Sequence, residues 1–281
     1  MSVANVPDSE QSLVGAKSPY WRRTLLAALS SLYVRRRCKT PDGEFEAYVS
    51  PGSSLKVLRP GGLQIDPVHS RFVREWIAPD AVVWDVGANM GLFALPAALK
   101  AKQGRVYAFE PDVDLTAHLL RTLRLDGNKA LNVLPLCIAL SSAEGAANFQ
   151  ISKFGRSMNK LETAAPWNQA LVTVRELRSV ATMRIDTLAQ SLSPPTVFKI
   201  DVEGAEMEVL KGGEGTIAKY RPTMLVEGPR ELSQPMKSFF EKHDYLMLDG
   251  AAVNQIPLNE PVWDTVAVPK ERFAARKQRA P

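Results

Sequence analysis

The stretch Val83-Trp84-Asp85-Val86-Gly87-Ala88-Asn89-Met90-Gly91 decides how the rest of the chain is read. An apolar run closes on an acid, bends between two glycines and passes into a helical pattern over Gly91–Ala101. Outward from this point the same rhythm repeats. Apolar runs at Ala81–Val86, Arg105–Phe109, Asn132–Leu140, Val197–Val202, Thr223–Glu227, Tyr245–Asp249 and Val262–Val268 read as strands. Helical patterns fall between them at Asp112–Asp126, Ala205–Lys219 and Leu232–Lys242. Such alternation predicts an α/β fold, a mostly parallel sheet with helices on both faces. In such sheets ligands sit beyond the carboxyl ends of the strands, so the search for chemistry narrows to a few loops.

The bend after the first strand discriminates between cofactors. A dinucleotide fingerprint would place glycines at 87, 89 and 92, whereas this chain has Gly87, Asn89 and Leu92. The glycine that lets a pyrophosphate approach is missing. Asp85 would repel a phosphate and attract an ammonium group. That combination suits S-adenosylmethionine (AdoMet), whose amino-acid moiety carries an ammonium and whose sulfur is cationic. The alternative reading makes Asp85 the cap of an ordinary strand-to-helix turn. Glu110, ending the second strand in Tyr107-Ala108-Phe109-Glu110-Pro111-Asp112, stands where an acid can accept both hydroxyls of a ribose. It serves NAD and AdoMet equally. The wall for an adenine ring is expected near Ala139. The cofactor-binding set is therefore Asp85, Gly87, Asn89, Gly91, Glu110 and Ala139, with an NAD-dependent oxidoreductase as the competing enzyme.

The fourth strand carries charges where apolar residues are expected. In Phe198-Lys199-Ile200-Asp201-Val202-Glu203-Gly204-Ala205-Glu206, alternation puts Lys199, Asp201 and Glu203 toward one side. Charge in a buried strand is costly unless it is paired or used. One reading is a buried Lys199–Asp201 ion pair; the other turns Asp201 and Glu203 toward the sulfonium. Glu227, ending the fifth strand, joins this cluster.

Together, Val83–Gly91 (VWDVGANMG), Tyr107–Asp112 (YAFEPD) and Lys199–Gly213 (KIDVEGAEMEVLKGG) resemble the FkbM family of AdoMet-dependent methyltransferases. Met183–Leu188 (MRIDTL) fits the same pattern, and the likeness runs from about Ala81 to Val268. The KIDVEGAE string is its specific part. The resemblance implies a seven-stranded Rossmann-like class I methyltransferase fold and O-methylation of a hydroxyl on a sugar, glycan or natural-product-like small molecule. A protonated hydroxyl is a poor nucleophile, so a base in hydrogen-bond reach is expected, with Asp201 or Glu203 in that catalytic role. Arg156, Ser157, Asn159 and Trp167 form a mixture suited to a polyhydroxylated acceptor, or else a surface loop anchored by one tryptophan.

Charge divides the chain further. Residues 1–41 hold seven Lys and Arg against two acids, and residues 270–281 hold five against one. Residues 42–269 hold 23 basic and 27 acidic side chains, a net of −4, so a basic groove for nucleic acid is not expected. The organisation read from this is a basic N-terminal extension (1–41), N-terminal strands and a lid helix (42–80), a methyltransferase domain (81–269) and a basic tail (270–281). Thr24–Val34 reads as an amphipathic helix between arginines, either lying on an anionic membrane surface or packing on the body. A non-catalytic, membrane-apposed binding protein is the third functional reading. No run is long enough to span a bilayer. Two cysteines, Cys38 and Cys137, fit a reducing, cytoplasmic setting, with Cys137 expected in the core. Among the histidines, His69 is expected to line a pocket lid, His118 to be structural and His243 to lie on the surface. No His/Cys set suggests a metal site.

Overall fold

The structure, a computed structural model, describes residues 32–50, 61–152, 159–162 and 174–279. Residues 51–60 of the segment expected to hold N-terminal strands, together with Arg156, Ser157, Trp167 and all of the predicted N-terminal helix but its last three residues, lie outside these. Among the described residues, the strands are β1 Val34–Thr40, β2 Gly43–Val49, β3 Val82–Val86, β4 Arg105–Phe109, β5 Val133–Leu136, β6 Ala139–Leu140, β7 Gly145–Ser152, β8 Lys160–Leu161, β9 Val174–Met183, β10 Val197–Ile200, β11 Thr223–Glu227, β12 Tyr245–Asp249 and β13 Asp264–Pro269. The helices are α1 Pro67–Trp76, α2 Ala94–Lys100, α3 Val113–Leu123, α4 Ile185–Leu188, α5 Glu206–Gly212, α6 Glu214–Tyr220, α7 Ser233–Lys242 and α8 Lys270–Arg279.

Seven strands form the central sheet in the order β12-β13-β11-β10-β3-β4-β5. Every pairing from β11 to β5 is parallel, and β13 alone runs antiparallel to both its neighbours. Strand alternation divides the core in two. Val83, Val106, Ala108, Val197 and Leu225 pack with Phe72 of α1, Ala94 and Ala97 of α2, Leu119 of α3 and Phe273 of α8. Trp84, Phe109, Phe198, Ile200, Met224 and Val226 pack with Ile185 of α4, Val209 of α5, Ile217 of α6 and Phe240 of α7. Each fully buried side chain of this size contributes about 1.5–3 kcal/mol, so both helix layers are held by apolar burial. This is the mostly parallel α/β sheet with helices on both faces expected from the sequence.

Several local readings are corrected. The third strand is not continuous. It leaves the main sheet after Leu136, and Ala139–Leu140 joins a second, four-stranded sheet in the order β6-β9-β7-β8. The run Ala205–Lys219 is two helices, because α5 ends at Gly212-Gly213, where a Cβ on Gly213 would meet Ile185 at 2.9 Å. Arg35, Arg36 and Arg37 belong to β1, which pairs antiparallel with β2 in a hairpin turning at Pro41-Asp42, so a boundary after residue 41 would cut that hairpin. Phe45, Ala47, Val49 and Cys38 turn inward onto Leu95 of α2, which makes the hairpin part of the body. Asn128 is buried and exchanges hydrogen bonds with the Glu46 backbone, N–H to Oδ1 at 3.1 Å and Nδ2 to carbonyl at 2.6 Å. Cys137 is exposed rather than in the core. Residues 270–279 form α8, whose Phe273 is buried. Among the described residues no helix is long and apolar enough to cross a membrane.

Candidate active site

Parallel pairing brings the decisive residues into one row. Val86 is level with Ile200, and Ile200 with Val226, so the residues that follow (Gly87, Asp201 and Glu227) lie side by side at the carboxyl end of the sheet. Asp264 of β13 pairs with Glu227 and extends the row. A cavity of about 630 Å³, including its mouth, opens at the Gly87–Asp201 end. Gly87, Asn89, Glu110, Ala139, Asp201 and Glu203 all line it, so the structure gathers six of the eight residues singled out from the sequence.

The glycine turn fits this place for steric reasons. Gly87 has φ +79°, and a Cβ there would lie 1.8 Å from the Asp201 carbonyl oxygen. Asn89 has φ +51°, a left-handed conformation that asparagine tolerates, and its Oδ1 accepts the Met90 N–H at 2.8 Å. Glu110 accepts the Asn89 N–H on one carboxylate oxygen and the Asp112 N–H on the other, both at 2.8 Å. Burial nevertheless raises its carboxyl pKa to about 7. On the far wall stand Ile138, Ala139, Leu140, Phe149 and Leu161, an apolar surface built by the second sheet. That sheet is tied to the site by Asn159, whose Nδ2 donates to Asp112 Oδ2 at 2.9 Å, and by Arg178, whose Nη1 donates to Asp112 Oδ1 at 2.9 Å.

Two expected cofactor residues do not face the cavity. Asp85 is fully buried beside its register partner Lys199, 3.6 Å from the ammonium, and neither carboxylate oxygen has a hydrogen-bond partner among the described residues. It stands within ion-pair distance of Lys199 and does not line the cavity. Gly91 points the other way: with φ +83°, a Cβ there would strike Leu119 of α3 at 2.5 Å, so this glycine serves helix packing.

Lys199 is the electrostatic centre of the floor. Its ammonium is 3.1 Å from Asp201 Oδ2 and donates to the Gly87 carbonyl at 3.0 Å. Burial works against its charge, but Asp201, Asp85 and Glu227 outweigh burial and raise its pKa. The ion pair considered from the sequence is therefore present, and Asp201 still lines the cavity. Glu203 reaches the cavity by a different route from strand alternation, because β10 ends at Ile200 and the chain reverses through Glu203 at φ +54° and Gly204 at φ +104°. Glu206 Oε1 accepts the Gly204 N–H at 3.0 Å and closes this turn. Burial and the neighbouring acids Asp201, Glu206 and Glu227 push the Glu203 carboxyl well above the usual range.

One pairing was not legible in the sequence. His69 of α1 sets its Nε2 2.7 Å from Glu227 Oε1, with both side chains largely buried. The residues are 158 positions apart, and no local pattern joins them. The other histidines lie apart from the row: His118 stacks on Tyr33 with centroids 3.5 Å apart, and His243, half-buried rather than on the surface, meets Glu214 at 3.0 Å. Among the described residues no cluster of His, Cys, Asp or Glu is arranged to hold a metal.

Against this geometry the Methyltransferase FkbM domain profile matches residues 85–247, more than half of the chain. The chain belongs to the FkbM methyltransferase family. The FkbM stretch starts within β3 and ends within β12, so it contains Gly87, Asn89, Glu110, Asp201, Glu203 and Glu227 but not His69. Among curated relatives, the hexuronic acid methyltransferase AglP of Haloferax volcanii is 35% identical over 146 residues, covering 50% of this chain and 54% of AglP. The chain thus spans about half the length of that relative. The 2-O-methyltransferase NoeI of Sinorhizobium fredii is 26% identical over 187 residues, covering 63% of this chain and 70% of NoeI. A crystal structure of an FkbM methyltransferase from Methylobacillus flagellatus KT aligns with a TM-score of 0.48 and 19% identity over 72% of this chain and 48% of that one.

Proposed function

We propose that this FkbM domain transfers a methyl group from AdoMet to a hydroxyl of a sugar-like acceptor. The carrying observation is the lining of one cavity: a backbone cradle at Gly87 and Asn89, an acid at Glu110, an apolar wall at Ile138–Leu140, and the acids Asp201 and Glu203. The residues present fit the cofactor. Glu110 would accept ribose hydroxyls, the apolar wall would take an adenine face, and the surplus of carboxylates favours a cation over a diphosphate, which together support AdoMet. The same surplus disfavours the NAD reading. Bound there, AdoMet supplies an electrophilic methyl carbon on a sulfonium.

The chain's own contribution is alignment and exclusion of water. The Asp201 carboxylate is already held by Lys199, and Glu203 favours its protonated form. We therefore read both acids as hydrogen-bond partners for acceptor hydroxyls, with Asp201 alone as the carboxylate facing the sulfonium. The names of AglP and NoeI support a sugar-like acceptor. A cytoplasmic setting is part of the same proposal; peripheral contact with an anionic membrane through the N-terminal segment is the reading that vesicle sedimentation tests.

The test is calorimetric titration of the full chain with AdoMet and with NAD, beside transfer of a labelled methyl group to a panel of pyranosides. Binding of AdoMet and labelling of a glycoside are expected. Binding of NAD without AdoMet would overturn the proposal.

A further inference from the structure

The buried pair of His69 and Glu227 lies one strand beyond Asp201 in the row at the carboxyl end of the sheet. Two elements distant in the chain converge to make it. Asp66 caps α1 by accepting the Val68 N–H, and the helix then seats His69 edge-on to Phe93, with centroids 5.4 Å apart. Glu227 is the last residue of β11. The 2.7 Å contact uses Nε2, and among the described residues Nδ1 makes no hydrogen bond. When the ring is neutral with its proton on Nε2, that bond fixes the tautomer and leaves a lone pair on Nδ1.

Resting on the methyl-transfer reading above, we propose that His69 is the base that receives the acceptor's hydroxyl proton and that Glu227 is its positioning residue. The balance is simple. The hydroxyl oxygen forms the new bond to the methyl carbon, the carbon–sulfur electron pair stays on sulfur, and the hydroxyl proton ends on Nδ1. One positive charge leaves the donor and one appears on the imidazole, where the Glu227 carboxylate stabilises it. The acceptor is thereby placed at the β10–β11 end of the row, beside the donor cavity at β3–β10. The base comes from a helix outside the FkbM-matched residues, so a search confined to that stretch would miss it.

The groups facing His69 are Glu227 of β11, Lys199 of β10 and Asp66 at the start of α1, with Asp85 of β3, Asp201 after β10 and Asp264 of β13 in the same field. Burial opposes a charge on the ring, yet the Glu227 hydrogen bond and charge prevail and raise the imidazole pKa. An imidazolium cannot accept a proton, so activity falls on the acid side of that midpoint.

The experiment follows the His69 imidazole by NMR across pH in the full chain, alone, with AdoMet and with its demethylated product, whose sulfur is uncharged. The midpoint is expected to move to lower pH with AdoMet, stay in place with the product, and move to lower pH in Glu227→Gln. With labelled AdoMet and the pyranoside panel, His69→Gln is expected to lower kcat/KM at least about a hundredfold with the AdoMet Kd within about twofold. In Glu227→Gln the acid limb of kcat/KM is expected to shift to lower pH. A midpoint that ignores AdoMet, or a His69→Gln enzyme within about threefold of wild type, overturns the assignment while leaving AdoMet-dependent transfer intact. Absence of AdoMet binding would sink both proposals.

Discussion

The Lys199 ammonium donates to the Gly87 carbonyl at 3.0 Å, and this bond ties the end of β10 to the turn that follows β3. One buried cation thus fixes two neighbouring loops that line the cavity, while also holding Asp85 and Asp201. Removing it should be expensive. Lys199→Met leaves Asp85 buried without a counter-charge, and a loss of about 3–5 kcal/mol is expected by chemical denaturation. Adding Asp85→Asn should recover part of that loss; two strictly additive losses would show that the pair is not coupled.

Gly87→Ala tests the cradle directly. The new methyl group would lie on the Asp201 carbonyl in a backbone conformation that L residues resist. A loss of about 3 kcal/mol and failure to bind AdoMet are expected, read by thermal unfolding and calorimetry. A variant that binds normally would show that the turn does not approach the ligand.

Glu110 gives AdoMet binding a pH dependence. Its carboxyl in the free protein titrates near about 7, and a cationic ligand with hydroxyls to be bound favours the carboxylate. Affinity should therefore rise with pH up to that value, by as much as roughly tenfold per pH unit below it. Glu110→Gln is expected to bind more weakly and to flatten the slope. An unchanged slope would exclude Glu110 as the linked group.

Asp201→Asn and Glu203→Gln should separate acceptor recognition from donor binding. Each is expected to lower kcat/KM by about 10–100-fold, the value of a hydrogen bond to a charged or strongly polarised partner, with a smaller change in AdoMet Kd. Wild-type kcat/KM in both variants would remove the two acids from the site.

Stability of the ligand-free protein should fall as pH rises toward neutrality. Burial raises the carboxyls of Glu110, Glu206 and Asp264 to about 7 each, so between about 4.5 and 7 the folded state binds more protons than the unfolded one. His69, raised by Glu227, adds to this with the same sign, since its contribution is complete below the unfolded midpoint and is lost as pH passes the folded one. Glu227 itself is lowered and loses its contribution only at more acid pH. Calorimetric Tm is expected to be higher at about pH 5.5 than at about pH 8, and the reverse order would contradict the burial of these acids.

What the sequence reveals and what it conceals follow from the range of the forces involved. Gly87, Asn89 and Glu110 were legible because strand end, turn and acid are neighbours in the chain, and the turn's needs are steric and local. Asp201 and Glu203 stood out because charge in an apolar strand is costly. The burial of Asp85 beside Lys199 is not legible in the same way, because the sequence shows an acid at a strand end but not its register partner across the sheet. The second sheet was missed where polar residues in 145–183 alternate too weakly, with β9 mostly exposed or half-buried along its length. His69 and Glu227 are joined only by the closing of the whole fold.

The β1–β2 hairpin shares one apolar cluster with Leu95, and Asn128 and Thr122 bond to its backbone. A chimera that grafted only the family-matched residues onto another leader would therefore strip that cluster and carry away the helix bearing His69. An exchanged block that began upstream of Val34 would keep the hairpin, its apolar partners and the His69 helix together.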